Sequence, residues 1–237
     1  MLTNPEKLKL IFFSPKVFYQ RISDEKGYVK PLFFYAVLFL IVSIFDLILE
    51  TTAVAFTGNI ALIIVQIIGI FFSLFFYVAA AFIIPFISSF VTYLGLLILG
   101  VKCDFERTFK VVTYAAVVSI FYSFLTALIV FIFQLLFPGI IVGDYDNMAL
   151  AILIIFVGLI FLLSVFGLIH VIVVEVVGLV NEYNISAGKA FFAVILIPLL
   201  LFLILVIFVI IFVVLLGVFS ASFDSANITG MITSFVP

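Results

Sequence analysis

Charge is what this sequence has least of: only 9% of its 237 residues are Asp, Glu, Lys or Arg, against about a quarter in a soluble domain. A chain so poor in charge cannot cover a water-facing surface, and no nucleic-acid partner is expected of it. Tryptophan is absent, and histidine and cysteine occur once each. A single thiol, Cys103, excludes an internal disulfide framework and any cysteine-based zinc site. No Walker loop, dinucleotide fingerprint or HExxH helix is present, so no cofactor, metal or catalytic residue is expected, and no enzymatic activity.

What fills the chain instead is apolar: 68% hydrophobic residues, 33 of them Phe, and a mean hydropathy of +1.59. Five segments reach or exceed the roughly 20 residues that cross a hydrocarbon core about 30 Å thick: Leu32 to Glu50, Ile60 to Leu99, Val111 to Phe137, Ala149 to Leu179 and Ala190 to Val218. Their connectors are too short to fold by themselves. The sequence therefore predicts an all-α integral membrane protein with five transmembrane helices. Residues 1–31 read as a cytoplasmic basic segment, 32–218 as the membrane domain and 219–237 as an extracytoplasmic tail. The first span starts after Pro31 and is too long for a cleavable signal, so the N-terminal segment is expected to be retained.

The second segment is long enough for two interpretations, since 40 residues of helix would extend about 60 Å. The cations decide between them. Lys7, Lys9, Lys16, Arg21, Lys26 and Lys30 precede the first span, Lys102, Arg107 and Lys110 follow the second segment, and Lys189 follows the fourth. Five spans place all of these on one side, as the positive-inside rule requires of an N-in, C-out protein. A kink is expected at Pro85, with a tilted or interfacial continuation to Leu99.

Within the first thirty residues, Asn4-Pro5 and Ser14-Pro15 each pair an N-cap residue with a proline at the first helical position. The two short amphipathic helices that result, with Phe18 and Ile22 on one side and Lys16 and Arg21 elsewhere, are expected to lie in the headgroup layer against anionic lipid.

Ionisable residues inside spans are the first candidates for function. Asp46 lies about 22 Å along the first helix from Pro31, still within the core, and Gln66 enters from the outer side at a similar depth, where its amide would bond the carboxyl. His170 and Glu175 fall near the inner end of the fourth span. Five residues apart, they do not share a helix face, which disfavours a metal site or an acid-base pair, and solvation at the interface is expected of both. Asp144 and Asp146 begin like a calcium loop but lack its Gly and closing Glu. Of two sequons, only Asn227 would face a glycosylating compartment.

Two stretches carry a resemblance. "LIFFSPKVFYQRISDEKGYVKPLFF" resembles the opening segment of prokaryotic YIP-domain (Ypt/Rab-interacting protein) proteins, and "LGVKCDFERTFKVVTYAAVVSIFYSFL" resembles their loop between spans two and three, with Phe105, Arg107, Thr108 and Tyr114 as landmarks. The resemblance implies a five-span membrane domain. In the eukaryotic branch it also implies Rab-type GTPase binding and vesicle traffic. This chain lacks that branch's long cytosolic N-terminal region and Asp-Leu-Tyr-Gly-Pro motif, and Thr113 stands where a Gly usually precedes the Tyr, so a GTPase partner is not expected.

The function expected is that of a non-enzymatic scaffold, adaptor or membrane organiser in a prokaryotic cell membrane. Its partners would be anionic lipid and a membrane protein or a second copy of itself. Lys16, Phe18, Arg21, Arg107, Lys110 and Tyr114 would form its cytoplasmic interaction surface. The alternative is a small transporter or permease-like protein with Asp46 as its intramembrane carboxylate.

Overall fold

The computed structural model describes residues 4–55, 60–137 and 147–233. All secondary structure among them is helical: α1 (Asn4–Phe13), α2 (Pro15–Arg21), α3 (Val29–Ala55), α4 (Ile60–Ile98), α5 (Phe105–Leu136), α6 (Asn147–Tyr183) and α7 (Ala187–Thr233). Residues through Val194 form one compact unit, and Ile195 onward forms a second. Four helices of the described residues, within α3, α4, α5 and α6, are long and apolar enough to cross a membrane, and Ala187–Leu200 is a shorter apolar helix. Asp144 and Asp146 lie outside the described residues, and so do the side-chain surroundings of Asn227.

Helix boundaries differ from the expected spans for local reasons. Proline lacks only a donor that a first turn does not use, so α3 starts at Val29 and carries Pro31 inside its opening turn, where Leu32 N–H bonds Tyr28 O at 3.1 Å. At its other end α3 runs past Glu50, with the Thr51 and Thr52 hydroxyls donating back to the carbonyls of Leu47 and Ile48, each at 2.7 Å. Pro85 does not break α4, which is continuous to Ile98. Ser89 Oγ donates to Pro85 O at 2.5 Å within that stretch. Gly100, with φ +69°, then stops the helix: its N–H bonds Leu97 O and the Val101 N–H bonds Leu96 O, both at 3.0 Å, the paired bonds of a left-handed helix end. Helix α5 begins six residues before the expected span because Asp104 caps it, accepting from Arg107 N at 3.2 Å.

Helix α5 is the centre of the first unit, packing against α1, α3, α4 and α6. Its residues 108–115 are buried without a break, Thr and Lys included. That is why its hydrophobic pattern shows no single apolar face: this part of the helix has neighbours on every side. Much of α4 and α6 carries exposed Phe, Ile and Leu, as lipid-facing helices do.

Candidate functional site at the charged end of the bundle

One face of each N-terminal helix is turned into the bundle, while Lys9, Phe13, Lys16, Val17 and Arg21 stay exposed. Phe18 and Tyr19 are fully buried, Ile11 likewise, and Ile22 is 5% exposed. Helix α2 packs against α6 and α1 against α5. A Cβ added to Gly178 of α6 would stand 2.6 Å from both the Tyr19 ring and a Val111 methyl, so the absence of a side chain there makes the space that Tyr19 occupies. Tyr19 Oη donates to Val111 O at 3.0 Å. Burial, and then Glu175, Tyr114 and Glu182, push the Tyr19 hydroxyl well above its ordinary pKa, which keeps it a donor. The expectation that Phe18 and Ile22 contact lipid is thereby corrected. Their helix face is completed by Tyr19, and three side chains of that size bury more area in the bundle than in a headgroup layer.

Three polar clusters tie this end together. In the first, Lys7 Nζ of α1 donates to Tyr114 Oη at 3.1 Å, Tyr114 donates to Glu25 Oε2 at 2.9 Å, and Lys7 and Glu25 pair at 3.5 Å. In the second, Lys110 Nζ lies 3.2 Å from Glu182, both side chains under a tenth exposed, and also reaches Ser23 O at 3.3 Å, while Arg107 approaches Glu182 at 3.8 Å from a position 60% exposed. In the third, Tyr183 Oη donates to Asp104 O at 2.6 Å and shares a 2.8 Å hydrogen bond with Thr108. The Gly27 N–H adds a 2.6 Å bond to Glu106.

Of the expected interaction surface, Lys16, Arg21 and Arg107 are exposed, whereas Phe18, Lys110 and Tyr114 are buried. Lys110 and Tyr114 are drawn inward for one reason: each polar head finds a carboxylate inside the bundle. Glu25 and Glu182, the acids that receive them, were missed as site residues, although Glu25 stands in the basic N-terminal segment, in "SDEKG"; Glu182, in "NEY", has no cation nearer in sequence than Lys189. Tyr19 and Gly178 carried no periodic signal.

Glu175, expected to be solvated, is 7% exposed and accepts from Thr92 Oγ1 of α4 at 2.7 Å. His170 stands apart from it, with Nδ1 3.3 Å from Tyr122 Oη and its ring edge-on to Phe12. The two do not form a pair. Thr113 Oγ1 is the one fully buried side-chain polar atom among the described residues that has no partner.

Asp46 and Glu50 of α3 open into a cavity of about 810 Å³ whose other walls, from α5 and α6, include Ser119, Ser123, Gln134 and Ser164. None of its lining residues is a lysine or arginine. Asp46 also borders a smaller cavity, of about 220 Å³, beside Tyr77 of α4. Gln66 lines neither cavity, and no hydrogen bond joins it to Asp46 among the described residues. The register explains the correction: Thr51 and Thr52 share a cleft with Ile70 and Leu74, so the extension of α3 past Glu50 puts Gln66 level with the end of α3 instead of with Asp46.

The apolar helices define a multi-pass helical membrane protein. Residues 9–210 match the Yip1 domain, and the chain belongs to that family. No curated protein and no solved structure matches it.

Proposed function

We propose that the protein is a five-span, non-enzymatic scaffold or adaptor of a prokaryotic cell membrane, with its N-terminus in the cytoplasm, its C-terminus outside and the charged end of the bundle as its working face. The observation that carries this reading is a partition of the cations. Eight of the ten lysines and arginines are exposed, and only Lys7 and Lys110 are withdrawn into the bundle by Glu25 and Glu182. The packed helices α1 and α2 hold much of that rim in place, and a positive rim attracts anionic headgroups and acidic segments of partner proteins. The orientation follows from the positive-inside rule. The fifth span rests on the apolar composition of residues 190–218.

Photocrosslinking residues placed at Lys16 and Arg107, and at the outward-facing Phe161, test the reading in native membranes. Discrete protein adducts from the two rim positions, absent from Phe161, are expected. Adducts of equal pattern at all three positions, or none at the rim, overturn it. A second reading, a small permease, is favoured by the acidic cavity at Asp46 and Glu50.

A further inference from the structure

A second cavity, of about 820 Å³, lies between α1, the α2–α3 turn and the first half of α3, and it is divided by polarity along its length. At the end nearest the start of α3 it is lined by Lys7, Arg21, Asp24, Glu25 and Lys30. Further along α3 its wall is Phe33, Val37 and Ile41, spaced four apart on one helix face and 69%, 39% and 59% exposed. The eight residue steps from Phe33 to Ile41 extend about 12 Å, most of one leaflet of the hydrocarbon core. The buried Ile22 and Phe34 close the floor, and Pro5 and Leu8 of α1 supply a second wall. A lipid touching only the outside of a helix has one wall; this groove has two.

The charge balance identifies the headgroup. Lys7 and Glu25 neutralise each other, with Tyr114 bridging them. Arg21 and Lys30 have no ion pair among the described residues, and Asp24 is the one remaining carboxylate of the lining, which leaves a net charge of one positive. We propose that this groove binds a single anionic glycerophospholipid, with its phosphodiester between Arg21 and Lys30 and one acyl chain along Phe33, Val37 and Ile41. A single negative charge completes the balance, whereas a choline headgroup would bring a cation toward two others. The volume lies in the range of ligand sites. The groove goes beyond the scaffold reading, which asks only for a diffuse positive rim.

Native mass spectrometry of the full-length protein, titrated with dioleoylphosphatidylglycerol, dioleoylphosphatidylcholine or chainless glycerol phosphate, tests the proposal. The wild type should take its first phosphatidylglycerol about tenfold more tightly than its first phosphatidylcholine. The exposed pair Arg21→Gln/Lys30→Gln should remove that preference, Val37→Trp should weaken binding of both lipids, and glycerol phosphate should not compete. Lys102→Gln/Lys189→Gln, outside the groove, should leave the preference intact. Equal affinity of the wild type for both lipids overturns the proposal. So does an equal loss in the Lys102/Lys189 control, an outcome that leaves the diffuse rim of the scaffold reading standing. Full competition by glycerol phosphate would identify an anion site with no part for the acyl wall, and also overturns it.

Discussion

The Tyr19 hydroxyl of α2 donates to the Val111 carbonyl of α5 at 3.0 Å, across 92 residues of sequence, and the ring reaches that carbonyl through the space left at Gly178. The bond converts a short N-terminal helix into a part of the bundle. Tyr19→Phe should cost about 1 kcal/mol, the net worth of one hydrogen bond, and Gly178→Ala about 1 to 3 kcal/mol, because its new methyl meets the ring and Val111 together. Both should lower the thermal midpoint in detergent and expose residues 14–28 to protease. An unchanged midpoint and cleavage pattern in Gly178→Ala would show that α2 does not dock there.

The Lys110–Glu182 pair makes an asymmetric prediction. Glu182→Leu leaves the ammonium of Lys110 buried with only Ser23 O for company and should cost about 3 kcal/mol or more. Lys110→Met should cost less, since Arg107 stands 3.8 Å from the same carboxylate and is exposed enough to swing toward it. Removing both charges with Lys110→Met/Glu182→Leu should return stability to within about 1 kcal/mol of wild type. Thermal unfolding of the three variants checks the order, and equal losses in the two single variants would contradict it.

The membrane class, and the positions of four long helices to within a few residues, were legible because composition and run length depend on the solvent more than on tertiary packing. The family was legible in the same two stretches that now form the charged end. The destination of the N-terminal helices was not. Period and charge show that one side of α2 is apolar, but an apolar helix face beside a membrane has two partners available, lipid and protein. Only the hole at Gly178 and the carbonyl of Val111, both distant in sequence, decide for protein. Gln66 failed for a related reason: depth counted along each helix separately ignores how far the preceding helix continues. The carboxylates at Glu25 and Glu182 were visible as letters, yet their pairing with Lys7 and Lys110 depends on loop closure between segments about 20 and 70 residues apart.

Cys103 reports both topology and local environment. It lies between Lys102 and Asp104, ahead of the α5 cap, so a membrane-impermeant maleimide should label it only in inverted or permeabilised membranes. Burial pushes the thiol above its ordinary pKa, a bond at its own backbone offsets part of this, and Asp104 raises it again. A raised pKa leaves less thiolate at neutral pH, so labelling should be slow at pH 7 and quicken about tenfold per pH unit until the thiol is half ionised. Labelling of intact cells from outside would reverse the proposed orientation. A rate independent of pH would contradict the raised pKa.

Asp46 separates the two functional readings. Its carboxylate opens into a cavity that contains Glu50, several hydroxyls and no lysine or arginine, and it makes no hydrogen bond to Gln66. Replacing it therefore orphans no partner, and both Asp46→Asn and Asp46→Leu should change stability by no more than about 0.5 kcal/mol. A scaffold whose working face is the charged rim does not use this carboxylate, so rim crosslinks in Asp46→Asn should match the wild type. A permease needs it: with two acids and no internal counter-charge, the cavity would take a cation, and tetraphenylphosphonium is a lipophilic monocation of suitable size. Equilibrium binding of the labelled probe to purified protein should be weak and equal in wild type and Asp46→Asn if the scaffold reading holds. Should the wild type bind it and Asp46→Asn lose it at unchanged thermal midpoint, with rim crosslinks absent in both, the permease would displace the scaffold.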